Sequence, residues 1–473
     1  MQIRKVDIAV IGGGSGGLSV AAGAAQLGAR VLLAEGKKMG GDCLNWGCVP
    51  SKALIAAGAA ARAVRASGRF GINGHEPAVD YKAVHDHIHG VIAEIAPHDS
   101  VERFEKLGVD VVQARARFVT PTELEVGGIR VEARRFVIAT GSRAFVPAIP
   151  GLDKTPFLTN ETIFDLVERP GHLIVVGGGP IGLELAAALR RLGAGVTVLE
   201  AVTVLANDDP DAVAVVRNRL IAEGVDVREG AAVASVEPDG NGVAVDVLHA
   251  GRRQRVCGTH LLIAVGRRPN ITDLGLEAAG IETDGRGIVV DARLRTTNRR
   301  VFAVGDVVGG MQFTHVAAYH AGIVIRNALF NLPAKASARA IPRVTYTDPE
   351  LAQVGHQLPK AREHDPLARA VTWSFEENDR ARAERETEGL VKAVIGRKGQ
   401  VLGCTIAGRH AGELILPWVL AVEKRLKISD MAAIIAPYPT LSEVTKRAAG
   451  SYYTPRLFSD RTRRVVRMMQ WLP

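Results

Sequence analysis

Cysteine is scarce in this chain: 473 residues carry four, which excludes a disulfide-stapled secreted scaffold. Aromatic residues make up 5%, and the basic residues behind the formal charge of +9 are scattered. No nucleic-acid-binding motif accompanies them, so they read as a solvated surface and nucleic acid is not an expected partner. No stretch approaches the roughly 18 consecutive apolar residues of a membrane span, and Met1-Gln2-Ile3-Arg4-Lys5 runs straight into a strand-like segment with no room for a cleavable leader. A cytoplasmic protein is the expectation, and there a cysteine pair is more often catalytic than structural. What the chain has in quantity is apolar residue, 47%, enough for large cores and for about three domains of roughly 100–200 residues each.

Two of the four cysteines stand close together, in Gly40-Gly41-Asp42-Cys43-Leu44-Asn45-Trp46-Gly47-Cys48-Val49-Pro50-Ser51-Lys52. Thiols at this spacing can close a disulfide if the loop bends, and Gly47 gives the backbone that freedom. Pro50 suits the first turn of a helix running on through Ala53, Leu54, Ala56, Ala57 and Ala60. Cys48 then lies near a helix N-terminus, which favours a thiolate. Half a zinc site and two buried cysteines acting as small hydrophobes are the competing readings. Cys257 and Cys404 form no second ligand pair, and a redox role is favoured once the flanking motifs are counted.

The first of these motifs opens the chain. Val6–Ile11 reads as a short apolar strand, followed by Gly12, Gly14 and Gly17 in the pattern G-x-G-x-x-G and by a helical run from Leu18 to Leu27. Such glycines permit a tight turn, let the backbone approach a pyrophosphate, and let the helix pack closely on the strand. The pyrophosphate meets the helix N-terminus. A second strand, Arg30–Ala34, ends in Glu35, placed to accept from an adenosine ribose. The unit recurs 165 residues later: Gly177, Gly179, Gly182, Gly193 and Glu200 match Gly12, Gly14, Gly17, Gly28 and Glu35. Its strand is Leu173–Val176 and its helix Ile181–Leu192. Two bound dinucleotides are implied.

Between and after these units lie simpler segments. Tyr81–Leu107 carries an interrupted helical pattern with His85 and His89 four apart; a solvated helix face is the favoured reading and no metal is expected. Residues 109–139 alternate like strands. Phe136–Gly141 is a strand and turn with Ala139-Thr140-Gly141 at its end, and Leu261–Asn270, with Gly266, repeats that shape. Val301–Asp306 reads as a buried strand ending in Gly305 and an acid able to bind a sugar hydroxyl.

In this order the motifs are highly specific, and with the late run Val344-Thr345-Tyr346-Thr347-Asp348-Pro349-Glu350 the sequence resembles, over nearly its whole length, the class I pyridine nucleotide-disulfide oxidoreductases. That family includes dihydrolipoamide dehydrogenase, glutathione reductase and mercuric reductase. The resemblance implies an α/β fold with two Rossmann-like dinucleotide-binding domains and a C-terminal α+β interface domain that builds a homodimer. The expected boundaries are 1–150 and 281–340 for the FAD domain, 151–280 for the NAD(P) domain and 341–473 for the interface domain. It also implies that the first unit, with Glu35 and Asp306, holds FAD, and that the second holds the nicotinamide nucleotide. Cys48 becomes the thiol against the flavin and Cys43 the one that exchanges with substrate. Lys52 lies near the flavin with Glu184 as its ion-pair partner, where a cation stabilises negative charge developing on the reduced ring.

The family's base position departs from the pattern. In dihydrolipoamide dehydrogenase and glutathione reductase a histidine precedes Pro-Thr, and a glutamate five residues on holds its ring; here the stretch is Ala436-Pro437-Tyr438-Pro439-Thr440-Leu441-Ser442-Glu443. A phenol titrating near pH 10 is a poor base for a dithiol at neutral pH. Mercuric reductase also has a tyrosine in this region, but its C-terminal cysteine pair is missing here, because the last cysteine is Cys404. The expected activity is an FAD-dependent NAD(P)H oxidoreductase passing electrons through Cys43 and Cys48 to a small or protein-bound disulfide. A mercuric reductase-like reduction of a metal ion or other electrophile, and a redox-sensing interaction protein, are the alternatives. Glu200, with no cation in Ala201–Ala206, points to NAD over NADP. Residues 456–473 combine five arginines with Val465, Val466, Met468, Met469, Trp471 and Leu472. Docking of this basic amphipathic tail on its own subunit is the favoured reading, and contact with an anionic membrane surface the other.

Overall fold

The structure, a computed structural model, describes residues 3–471. The strand Ile3–Ile11 is its first element and shows why the fold is layered. Ile8 and Val10 enter one buried cluster with Leu18, Val20 and Val324, while Ala9 and Ile11 enter another with Phe118, Phe136 and Ile281. A strand covered on both faces needs an unbroken apolar run, and the parallel arrangement supplies both covers. Ile3–Ile11 pairs in parallel with Val31–Ala34 on one side and with Ile129–Ile138 on the other. Val109–Val112 and Val301–Ala303 continue the sheet in parallel at its two sides, and the hairpin strands Ala116–Thr120 and Glu123–Val126 add antiparallel pairs. The helices Ser15–Gln26 and Thr314–Leu329 pack on the Ile8 face.

The second glycine unit builds a smaller parallel sheet, with His172–Val176 flanked by Gly195–Glu200 and His260–Ile263. Beside it stands an antiparallel sheet of Ala231–Asp239, Gly242–His249 and Arg252–Gly258, which shares a core with it through Ile174, Val245 and Leu261. The two strand-to-turn segments similar in sequence also meet: Ser142–Ala144 pairs antiparallel with Arg267–Pro269.

The chain divides into two compact units. Met1–Ala201 and Arg228–Ser337 form the first; Val202–Val227 and Ala338–Pro473 form the second. The second unit holds a five-stranded antiparallel sheet in the order Arg343–Thr345, Glu350–Gly355, Val401–Gly408, Leu390–Ile395, Arg369–Ser374. Helices Leu416–Lys424 and Glu443–Ser451 cover it through Trp418, Val422, Val444 and Ala448. The basic amphipathic segment forms a helix, Asp460–Met469, none of whose residues is buried. Docking of this helix on its own subunit is therefore not seen: its apolar side chains stay in solvent. Leu472 lies outside the described residues. Among them, no helix is long and apolar enough to cross a membrane.

Candidate active site

The two glycine units fold alike to the level of single hydrogen bonds. Gly12 and Gly177 adopt φ of +106° and +112°, and a Cβ on either would stand 2.5 or 2.4 Å from the carbonyl oxygen of Ala139 or Ala264. A Cβ on Gly17 or Gly182 would fall 1.8 or 2.1 Å from the carbonyl oxygen of Gly12 or Gly177. Only glycine lets each helix start this close to its strand. Neither helix, Ser15–Gln26 after Gly14 or Pro180–Arg191 after Gly179, has a side-chain cap or an acid in its first turn. The N–H groups an anion would use are left to it. The strand-end acids also correspond: the Gly13 N–H donates to Glu35 Oε2 at 2.5 Å and the Gly178 N–H to Glu200 Oε2 at 2.8 Å. The chain thus fits two dinucleotides.

The cysteine loop sits on the first of these turns, with the Gly40 N–H donating to the Gly13 carbonyl at 2.9 Å. Cys43 lies on a short helix, Gly41–Asn45, and Cys48 is the first residue of the helix Cys48–Ala66. Both are free thiols, Cys43 half-buried and Cys48 exposed. Cys48 is brought down to about 6, first by the hydrogen bond from the Cys43 thiol, then by Thr314 and the nearby Lys52 charge; desolvation by the dense surround and the Asp42 carboxylate oppose this. Cys43 is driven upward, chiefly by the same hydrogen bond. The pair therefore shares one negative charge, held on Cys48. Thr314 Oγ1 stands 3.2 Å from Cys48 Sγ and donates to it when the sulfur is a thiolate.

Lys52, one helical turn after Cys48, places its Nζ 2.9 Å from Glu184 Oε2, and that carboxylate is only 8% exposed. Behind the loop, Arg267 joins three segments. Its Nη2 lies 3.1 Å from Asp42 Oδ1, and its Nε donates to Ser142 Oγ at 2.7 Å. Ser142 in turn donates to Asp306 Oδ2 at 2.6 Å. Burial pushes the Asp306 carboxyl upward, against the Ser142 hydrogen bond and the Arg267 charge. Asp306 sits on a short 3-10 turn, Gly305–Val308, at the end of Val301–Ala303. Thr140 and Gly141 are tied to Asn270: the Thr140 hydroxyl donates to the Asn270 carbonyl at 2.7 Å, and the Asn270 N–H to the Gly141 carbonyl at 2.9 Å. Gly266 ends the other strand-to-turn segment, its carbonyl accepting from the Phe145 N–H at 2.9 Å.

Tyr438 and Glu443 belong to the second unit. The Tyr438 phenol is exposed and donates to Asp379 Oδ2 at 3.0 Å, which pushes its titration further up. Glu443 pairs with Arg447 at 3.2 Å. His85 and His89 do share a helix face, but their nitrogens face Asp86 and the Phe164 carbonyl.

Sequence reasoning missed Thr314, Ser142 and Asp379, and quoted Asp42 only as part of the cysteine stretch and Arg267 only as part of a turn. Arg267 had a usable signal, an arginine next to the glycine of a strand-to-turn segment that repeats. Thr314 and Asp379 had none, since each meets its partner across a long stretch of chain.

With this geometry in hand, comparison with known proteins is specific. The family model for pyridine nucleotide-disulphide oxidoreductases matches residues 6–321, and that for the family's dimerisation domain matches 341–449, which supports a homodimer. A mercuric reductase of Streptomyces lividans is 36% identical over 454 residues, covering 94% of this chain and 96% of that protein. A dihydrolipoyl dehydrogenase of Geobacillus stearothermophilus is 34% identical with the same coverage of both, 94% and 96%. Among solved structures, the Cu(II) complex of the HOCl-induced flavoprotein disulfide reductase RclA from Escherichia coli superposes with a TM-score of 0.85 at 29% identity, over 95% of this chain and 99% of that one. LpdA from Mycobacterium tuberculosis gives 0.85 at 28%, with coverage of 95% and 99%.

Proposed function

This chain belongs to the pyridine nucleotide-disulfide oxidoreductases, NAD(P)H-dependent flavoprotein enzymes, and from that premise we propose that Cys43 and Cys48 are its redox pair and that a small or protein-bound disulfide is its acceptor. The observation that carries the reading is the placement of the pair: Cys48 opens a helix with Thr314 Oγ1 3.2 Å from its Sγ, and these surroundings push Cys48 down to about 6 and Cys43 upward. Bound FAD supplies the two-electron relay from the nicotinamide nucleotide to the cysteine pair. Reduction of the Cys43–Cys48 disulfide takes up two electrons and one proton and leaves a thiol and a thiolate. Cys48, with Thr314 donating to it, is the sulfur that retains the charge. Cys43 takes the proton and must lose it to attack one sulfur of the acceptor disulfide, whose other sulfur leaves as a thiolate; Cys48 then attacks Cys43 in the mixed disulfide, re-forming the Cys43–Cys48 bond and releasing the second acceptor sulfur. Lys52, fixed by Glu184, holds positive charge beside the pair. Glu35, Thr140, Gly141, Gly305 and Asp306 are assigned to FAD, with residues 1–150 and 281–340 as its domain. Gly177, Gly179, Gly182, Glu200 and Gly266 are assigned to the nicotinamide nucleotide, with 151–280 as its domain, and 341–473 to the interface.

NAD is the proposed nucleotide. Glu200 ends its strand with a carboxylate, and a 2′-phosphate beside it would meet like charge. Of the two arginines that precede it, Arg190 donates to the Ala194 carbonyl at 3.1 Å and Arg191 is buried.

A second reading, reduction of a thiol-bound metal ion, draws on Tyr438. A phenol whose titration Asp379 raises is a poor base for Cys43, whereas a metal acceptor needs no such base. Against it, Cys404 is fully buried and Cys257 stands alone, so no second thiol pair hands over the metal. Steady-state turnover with lipoamide, glutathione disulfide and mercuric ion separates the readings: the proposal expects a disulfide to be fastest, and faster mercuric reduction would replace it. The assignment of roles is tested by absorption. Cys43→Ser should show a long-wavelength thiolate-to-flavin band without reductant and Cys48→Ser none; the reverse pattern overturns it.

A further inference from the structure

The helix Asp460–Met469 and Trp471 behind it take no part in the site, and they lie beyond residue 449, where the match to the dimerisation domain ends. Every residue of the helix is open to solvent or nearly so, yet its composition is sorted. At 100° per residue, Val465, Val466 and Met469 fall within one sector, with Met468 and Arg461 at its edge, and Arg463, Arg464 and Arg467 occupy the opposite one. Val465 and Val466 are 45% and 47% exposed, Met468 and Met469 71% and 63%, and Trp471 89%. A strand of water-exposed apolar side chains backed by guanidinium groups is unfavourable in bulk water and suits a boundary between an anionic layer and an apolar one.

We propose that this helix lies in the headgroup region of an anionic phospholipid bilayer, its valine and methionine side inward and its arginines among the phosphates. Charge selects this occupant. Residues 454–471 contain five arginines and a single acid, Asp460, which is already paired with Arg463 at 3.6 Å. A second copy of the helix would bring the same arginines together. The rest of the chain is itself net basic, so it gives no overall attraction for the helix. A bilayer containing acidic lipid provides negative charge and apolar depth at once, and Trp471 suits the interface between them.

The test uses the full-length holoenzyme in co-sedimentation with vesicles of phosphatidylcholine alone and of phosphatidylcholine mixed equally with phosphatidylglycerol. Binding is expected only to the second, weakening as salt is raised. Replacing Arg463, Arg464 and Arg467 with Gln should weaken it by about fivefold each, near a hundredfold together. Val466→Ser with Met469→Ser should weaken it about tenfold or more without changing the charge of the helix. Because no residue of the helix is buried, these variants should keep their fold and their oxidoreductase turnover. Failure to bind acidic vesicles, or equal binding to both kinds, overturns the proposal. So does a dimer that dissociates in analytical ultracentrifugation when the chain is cut after residue 459, since the helix would then be an interface between subunits.

Discussion

Thr314 was invisible in the sequence and touches the sulfur on which the chemistry turns, so its removal is the sharpest test of the site. Thr314→Val keeps the shape and deletes the hydroxyl 3.2 Å from Cys48 Sγ. Cys48 titrates at about 6 with that donor in place. A hydrogen bond to a charged group contributes about 1.5–3 kcal/mol, and 1.36 kcal/mol corresponds to one pH unit, so the midpoint should rise by about 1 to 2 units. The sign follows from the donor: it stabilises the thiolate alone, and without it more alkaline solution is needed to reach the same thiolate fraction. At pH 7 that fraction falls from about nine-tenths to between about a half and a tenth, or about a quarter for a shift of about 1.5 units. The assay is the rate of iodoacetamide alkylation of the reduced protein against pH, with modified peptides identified by mass. The wild type should give a midpoint near 6 on Cys48, and the variant a profile displaced to higher pH with about a fourfold slower rate at pH 7. An unchanged midpoint in the variant refutes the reasoning.

Lys52→Met removes the cation 2.9 Å from the buried Glu184 carboxylate and should cost about 1–3 kcal/mol in urea denaturation, part of which Glu184→Gln in the same chain should restore; an unchanged midpoint would mean that the pair contributes nothing to the fold. Tyr438→His should raise disulfide turnover at pH 7 and introduce a rate dependence near the pKa of imidazole, and an unaltered pH profile would remove this position from proton transfer. kcat/KM should favour NADH over NADPH by about tenfold or more, a difference of about 1.4 kcal/mol, and an NADPH preference that survives Glu200→Ala would end the argument from that carboxylate.

Much of this molecule is readable without coordinates because the relevant physics is local in the chain. The glycine turns are dictated within about six residues by backbone sterics, and the strand-end acid follows the length of one helix and one strand, so both units and their correspondence were legible in full. That Cys48 lies near a helix N-terminus followed from Pro50, and the strand Val6–Ile11 from its apolar run, while the parallel arrangement of the sheet came only through the family resemblance. Glu184 was paired with Lys52 only through family resemblance, and the structure places them 2.9 Å apart across 132 positions.

What tertiary structure alone decided is the set of contacts that long loops of chain bring together. Thr314 reaches Cys48 across 266 positions, Ser142 reaches Asp306 across 164, and Tyr438 finds Asp379, 59 positions away, rather than Glu443 five residues on. No periodicity or spacing encodes such pairs. Each depends on where a helix start or turn arrives after the sheets have packed. The sequence by itself therefore determined which chemistry the chain carries, through short motifs whose geometry is self-contained. Packing decided which sulfur holds the charge, because a thiolate is stabilised by whatever donors and cations the fold places around it.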